Sequence, residues 1–191
     1  EFSHLDAAHF SQLTLKNSHL LLSLQKMTLG VSPTAWQRQQ FPIEEHARIQ
    51  VIHEGIDTQL VSPNPHAEIT IDNKRLAAGQ EIITFVNRNL EPYRGFHIFM
   101  RALPEIMKNR PHAEVIIVGG NSVSYGSRLP NGQTYRDKMM REVGDQLDMS
   151  RVHFVGNIPY NAFLALLQIS ALHIYLTYPF VLSWSMLEAR S

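Results

Sequence analysis

Four short stretches hold most of the groups in this sequence that could do chemistry: NRNLEPYRG (87–95), GGNSVSYG (119–126), GNIP (156–159) and YPFVLSWS (178–185). In the first, Arg88 and Arg94 flank a turn built on Pro92 and Gly95, and two guanidinium groups suit a phosphorylated ligand. In the second, Gly119 and Gly120 permit close approach of backbone to ligand. In the last, the amides near Ser183 and Trp184 stand where a helix begins, so they offer donors and a positive dipole end to an anion. Glu188, one helical turn further on, could accept hydrogen bonds from a pair of neighbouring hydroxyls such as those of ribose.

Each feature also has a plainer explanation. Single arginines beside a turn are more often solvated surface charges, and a Gly-Gly pair after a strand is usually only a turn. VGGNSVSYG does not fit the G-x-G-x-x-G fingerprint, and no acid ends the following strand as a nicotinamide site requires. The ten histidines contain no pair at metal-ligand spacing, so no metal site is expected; His97 and His173 are expected to pack or to face solvent. Trp36 and Trp184 suit a core as well as a site.

These stretches need elements to position them. IITFVNR (82–88), EVIIVGG (114–120), RVHFVG (151–156) and ALHIYLT (171–177) read as short buried strands. Between them, Phe96, Phe99, Leu103, Ile106 and Met107 recur at helical spacing, as do Met139, Met140, Val143 and Leu147, and AFLALLQIS (162–170) forms a third helix. Pro104 predicts a kink in the first of these helices. SWSMLEA opens another, with Ser183 as N-cap. Alternating strands and helices imply an α/β fold, a Rossmann-like parallel sheet flanked by helices. Ligands of such sheets bind beyond the carboxyl ends of the strands, where all four stretches fall.

The first 80 residues are organised differently. A helix over 9–27 precedes a short strand at 29–33, a helical turn at 34–41 and a strand at 49–55. SPNPHAEITIDNKRLAAGQ (62–80), rich in Pro, Asn and charge, reads as an interdomain linker. Residues 1–61 then form the carboxy-terminal remnant of one Rossmann-like domain, and 81–191 a second that is truncated at its end.

Composition bounds the function. The chain has 191 residues, 44% of them hydrophobic and 18% charged, as in a soluble globular protein. Zero formal net charge removes the basic field that would recruit nucleic acid. The absence of cysteine excludes disulfides and thiolate chemistry. No apolar run approaches the roughly 20 residues that span a bilayer, and no leader pattern opens the sequence. The expected location is cytoplasmic.

The order of the parts resembles a known family. FVNRNLEPYRGFHIFMRALPEI, VIIVGG and VHFVGNIPYNAFLALLQISALHIYLTYPFVLSWSMLEA resemble the carboxy-terminal, donor-binding domain of retaining glycosyltransferases of family 4 (group 1 type, GT-B fold). VSPTAWQRQQFP and IQVIHEGID resemble the last elements of that family's amino-terminal domain. The resemblance implies half of a GT-B two-domain architecture and a hexosyltransferase-type enzyme. Such an enzyme moves a sugar from a nucleotide-diphosphate sugar to a glycan or lipid-linked acceptor, as in bacterial exopolysaccharide biosynthesis. It needs no metal or other cofactor and no nucleic acid, and the intact enzyme could associate peripherally with a membrane.

Carried over by position, Arg88 and Arg94 match the catalytic basic pair at the donor diphosphate, the second more commonly lysine in the family. Gly156, Asn157 and Ile158 match the segment whose backbone meets the nucleotide base; Gly119 and Gly120 are assigned to donor binding by their place after a strand. Ser183 and Trp184 match the phosphate loop, and Glu188 the ribose-binding member of a glutamate pair. The other member would stand at 180, where this chain has Phe180, which puts the donor sugar in question. On this reading the chain is a fragment, inactive in transfer by itself. Two other functions fit the same residues: a nucleotide-sugar epimerase of the same fold, and a non-catalytic sugar-nucleotide-binding scaffold.

Overall fold

The computed structural model describes residues 7–178 and 182–191. The chain divides into two compact units, Glu1–Glu54 and Gly55–Ser191.

In the first unit, α1 (Ala7–Lys26) buries none of its residues. Strand β1 (Gly30–Ser32) leads into the one-turn helix α2 (Ala35–Arg38), whose N-cap Thr34 accepts a hydrogen bond from the Gln37 amide at 3.1 Å. A 3-10 turn (Ile43–Arg48) then delivers β2 (Ile49–Val51), which pairs parallel to β1. Arg48 donates to the Met27 carbonyl (2.6 Å) and the Leu24 carbonyl (3.3 Å), closing the carboxyl end of α1, and pairs with Glu45.

The second unit opens with a hairpin that the sequence reading assigned to a linker. Strands β3 (Glu68–Ile71) and β4 (Lys74–Ala77) pair antiparallel around Asp72-Asn73, whose φ values of 49° and 64° form the two-residue turn that matches strand twist. Leu76 and Ala67 are buried against the sheet. The hairpin has a local cause: Asp-Asn between alternating residues is a hairpin signal, set among Pro and charged residues that give the wider segment a linker-like composition. Residues 68–77 thus form a hairpin that packs on the sheet of the second unit.

The sheet itself follows: β5 (Ile82–Asn89), α3 (Phe96–Asn109), β6 (Glu114–Gly120), α4 (Tyr135–Val143), β7 (Val152–Gly156), α5 (Tyr160–Ile169), β8 (Leu172–Ile174) and α6 (Trp184–Glu188). The four strands are parallel in the order β7-β6-β5-β8. Their residues alternate between two cores. Ile83, Phe85, Val115 and Ile117 face α3 and α4, with Phe85 stacked on Phe99 at 4.7 Å. Ile82, Val86, Ile116 and Val118 face α5 and the hairpin. Helix α3 runs through Pro104.

Near the amino ends of the strands, the hairpin is pinned by a charged cluster. Glu114 pairs with Lys74 and meets His153 Nε2 at 2.8 Å, while His153 Nδ1 lies 3.4 Å from Asp72. On β8, His173 Nδ1 lies 3.0 Å from the Thr84 hydroxyl, which also meets the Ser170 hydroxyl at 2.8 Å. Burial holds the His173 imidazole below its ordinary pKa of 6.5, so it packs in its neutral form.

Candidate active site

The strand order locates the site. From β5 the chain moves outward through β6 and β7, then returns to the other side of β5 at β8. The crevice at this reversal opens at the carboxyl ends of β5 and β8. Its floor is the contact between the two exits. Gly95 has φ 74°, and a Cβ there would lie 2.4 Å from Leu176 Cβ, so only glycine lets the turn after β5 close on the segment after β8. The Tyr178 amide donates to the Tyr93 carbonyl at 2.9 Å and completes the tie.

Three tyrosines cluster at this mouth, and Arg94 lies against one of them. The Tyr93 ring lies 5.6 Å from Tyr125 and 5.7 Å from Tyr178, and the Arg94 guanidinium sits 5.1 Å from the Tyr125 ring centre. Burial, then Tyr178, pushes the Tyr93 phenol up from its ordinary value, with Arg94 opposing. Arg88 lies exposed in β5, where the pairing with β6 shifts register between Val86 and Asn89. Its side chain makes no hydrogen bond or ion pair among the described residues.

The glycines after β6 have structural occupations. A Cβ on Gly119 (φ 153°) would lie 2.8 Å from the Asn87 carbonyl, and one on Gly120 would lie 2.9 Å from the Asn89 amide oxygen. Both are therefore packed against the end of β5. Gly156 (φ 67°) has no atom within 4 Å of its would-be Cβ, which leaves the turn after β7 open on that side. Asn157 is exposed, and Ile158 packs partly into the core beside α5.

Sequence reasoning missed the most buried polar group of the region. Glu91 is 0% exposed. Its carboxylate accepts from the Ser124 amide (3.2 and 3.1 Å), the Tyr125 amide (3.1 Å) and the Gly126 amide (3.1 Å). Three successive amides form an anion-binding concavity, and the chain fills it with its own carboxylate. Asn89 adds a bond to the Ser124 hydroxyl at 2.7 Å. The GGNSVSYG loop is thereby fixed to the exit of β5, and these amides serve Glu91.

Ser183 is the N-cap residue of α6, but its hydroxyl meets the Ser185 hydroxyl at 2.9 Å and no backbone amide. Trp184 is 64% exposed. Glu188, on the same helix, is buried and accepts a hydrogen bond from the Tyr160 hydroxyl at 2.8 Å. Phe180 lies outside the described residues. Among the described residues no group of three or more His, Asp or Glu gathers as a metal site, and no helix is long and apolar enough to cross a membrane.

A cavity of about 520 Å³ lies elsewhere, at the amino ends of β5 and β8 between Glu81, Glu105, Arg110 and Leu172. Strand polarity outweighs size here: the helix amino ends and the loops that bring polar groups together are at the opposite end.

Residues 1–61 match the family model described as "Glycosyl transferase family 4 group". A search of curated proteins finds no match. Among solved structures, S. aureus TarM, in complex with fondaparinux, alpha-GlcNAc-glycerol and UDP, superimposes with a TM-score of 0.66 at 16% identity, over 92% of this chain and 30% of TarM. Sucrose-phosphate synthase from Thermosynechococcus elongatus gives 0.65 at 18% identity, over 91% of this chain and 41% of the synthase. The C-terminal domain of LpcC, a glycosyl transferase group 1 family protein from Francisella tularensis, gives 0.53 at 16% identity, over 71% of this chain and 65% of that domain. The fold is that of the GT-B glycosyltransferases. The chain spans less than half the length of TarM and of the synthase.

Proposed function

We propose that this chain is the donor-binding part of a retaining family 4 glycosyltransferase that transfers a sugar from a nucleotide-diphosphate sugar to a glycan or lipid-linked acceptor. The observation that carries the reading is Arg94, set beside Gly95 at the mouth of the crevice where the strand order reverses. In this scheme Arg94 and Arg88 face the diphosphate and stabilise the charge that builds on it as the glycosidic bond breaks. At about 4 Å and an effective dielectric of about 20, one such pairing gains roughly 4 kcal/mol before desolvation is subtracted. The scheme draws on no metal, because the arginines and the backbone donors near Ser183 and Trp184 supply the positive end. The turn at Gly156–Ile158 faces the base through backbone, Gly119 and Gly120 border the donor, and Glu188 accepts from the ribose hydroxyls. A UDP-type donor and a glycan acceptor are consistent with the molecules bound in TarM. A role in bacterial exopolysaccharide synthesis, in the cytoplasm and with peripheral membrane association, extends the same reading.

Steady-state kinetics of the intact protein test it. Arg94→Ala and Arg88→Ala are each expected to lower kcat by about 100-fold, the usual scale for losing one donor to developing charge, with KM for the donor raised as well. Wild-type kinetics in both variants would remove the diphosphate from this loop. Conversion of free nucleotide sugar without an acceptor would instead identify an epimerase, and nucleotide-sugar binding without turnover a non-catalytic scaffold.

A further inference from the structure

Tyr160 opens α5 immediately after the GNIP stretch, 28 positions before Glu188 in the sequence. Its ring packs against Phe163 with centroids 5.9 Å apart, while its hydroxyl reaches Glu188 Oε1 at 2.8 Å. Glu188 is only 8% exposed and borders a cavity of about 210 Å³ shared with Ser62, Gln168 and Ser170. Its other oxygen, Oε2, receives no hydrogen bond among the described residues.

A buried carboxylate with one donor still has acceptor capacity to satisfy. No lysine or arginine pairs with Glu188 among the described residues, and the Asp57 carboxylate adds to the negative field at Tyr160. An anionic ligand group is therefore repelled, and a neutral donor such as a pair of sugar hydroxyls suits the place. We infer that Tyr160 is a positioning residue: its hydroxyl holds Glu188 Oε1 so that the carboxylate stands in one orientation, with Oε2 presented to the vicinal hydroxyls of the nucleotide ribose. This rests on the ribose role given to Glu188 above. The bond also pushes the Tyr160 phenol up from its ordinary pKa of 10.0, which keeps the donor proton in place at physiological pH. Tyr160 thereby couples the turn after β7, assigned to the base, to the carboxylate assigned to the ribose.

The experiment measures equilibrium binding of UDP, GDP and ADP, each with its 2′,3′-dideoxy counterpart, to the intact protein by calorimetry. Wild type is expected to prefer the ribose form of its best ligand by about tenfold or more, the scale of a hydrogen bond to a charged group. Tyr160→Phe keeps the ring packed on Phe163. It is expected to lose most of that preference by weakening the ribose form, with dideoxy binding unchanged. Equal weakening of both forms, or an unchanged ratio, overturns the positioning role. Glu188→Gln separates the two layers. If it keeps the wild-type ratio, the ribose role of Glu188 fails and the inference with it. If it abolishes the ratio while Tyr160→Phe keeps it, only the inference about Tyr160 fails. Absence of binding by all three nucleotides overturns the donor-binding function itself.

Discussion

A side chain on Gly95 would place its Cβ 2.4 Å from Leu176 Cβ and 2.5 Å from the Leu176 carbonyl oxygen. The two residues belong to the exits of β5 and β8, the strands between which the chain reverses direction across the sheet. Their contact ties the two exits together, and Arg94 is the residue immediately before Gly95.

Gly95→Ala must therefore separate the two exits as well as hold a non-glycine residue at φ 74°. The backbone conformation alone costs about 1–2 kcal/mol, and the collision is with backbone, which cannot swing aside. We expect a total loss above about 2 kcal/mol, read as a lower urea midpoint. Gly132→Ala is the matched control: it has φ 68° with nothing within 4 Å of the added Cβ, so it should show the backbone cost alone. Equal midpoints for the two variants would mean that the Leu176 contact has no energetic weight.

Glu91→Ala strips the acceptor from three successive amides at 124–126. Each buried unsatisfied group costs about 1–3 kcal/mol unless water replaces the partner, so the loop is expected to open to solvent. Hydrogen exchange at Ser124, Tyr125 and Gly126 should accelerate at least tenfold, while amides in β6 stay protected. Glu91→Gln, which retains one acceptor oxygen, should fall between the two. Unchanged exchange at 124–126 in the alanine variant would contradict the role given to this carboxylate.

His173 gives the fold a pH dependence of definite sign. Its folded pKa lies below the unfolded 6.5 because burial disfavours the imidazolium. Between those two values the unfolded chain binds the proton and the folded chain does not. Its contribution is thus fully present above 6.5 and is lost as pH falls through the depressed folded value. An NMR titration of the His173 ring should give a midpoint below 6.5. A midpoint at or above 6.5 would mean that the ring is solvated and that its contact with Thr84 at 3.0 Å does not persist in solution.

The main elements of the second unit are written in local residue patterns. Ile82–Val86 and Val115–Val118 are runs of apolar and β-branched residues that can only be buried on both sides, and Phe96, Phe99, Leu103 and Met107 repeat at helical spacing, so strand and helix were legible from neighbours alone. Gly95 and Arg94 were legible for the same reason, as a turn with a charge at a strand's end. The hairpin at 68–77 was written locally too, in Asp72-Asn73, but composition over a wider window hid it.

The site itself depends on residues far apart in the chain. Strand order β7-β6-β5-β8 converts four equivalent strand ends into one crevice, and it brings Gly95 against Leu176. Nothing in NRNLEPYRG sets Glu91 apart; the amides of 124–126 that close around it come from another loop. Tyr160 lies outside the helix read at 162–170, and only the fold brings Glu188 of α6 to its hydroxyl. Local propensity comes from a residue's own side chain and its nearest neighbours, whereas a buried carboxylate is tolerable only where folding supplies donors, and those donors carry no mark in the sequence around the acid.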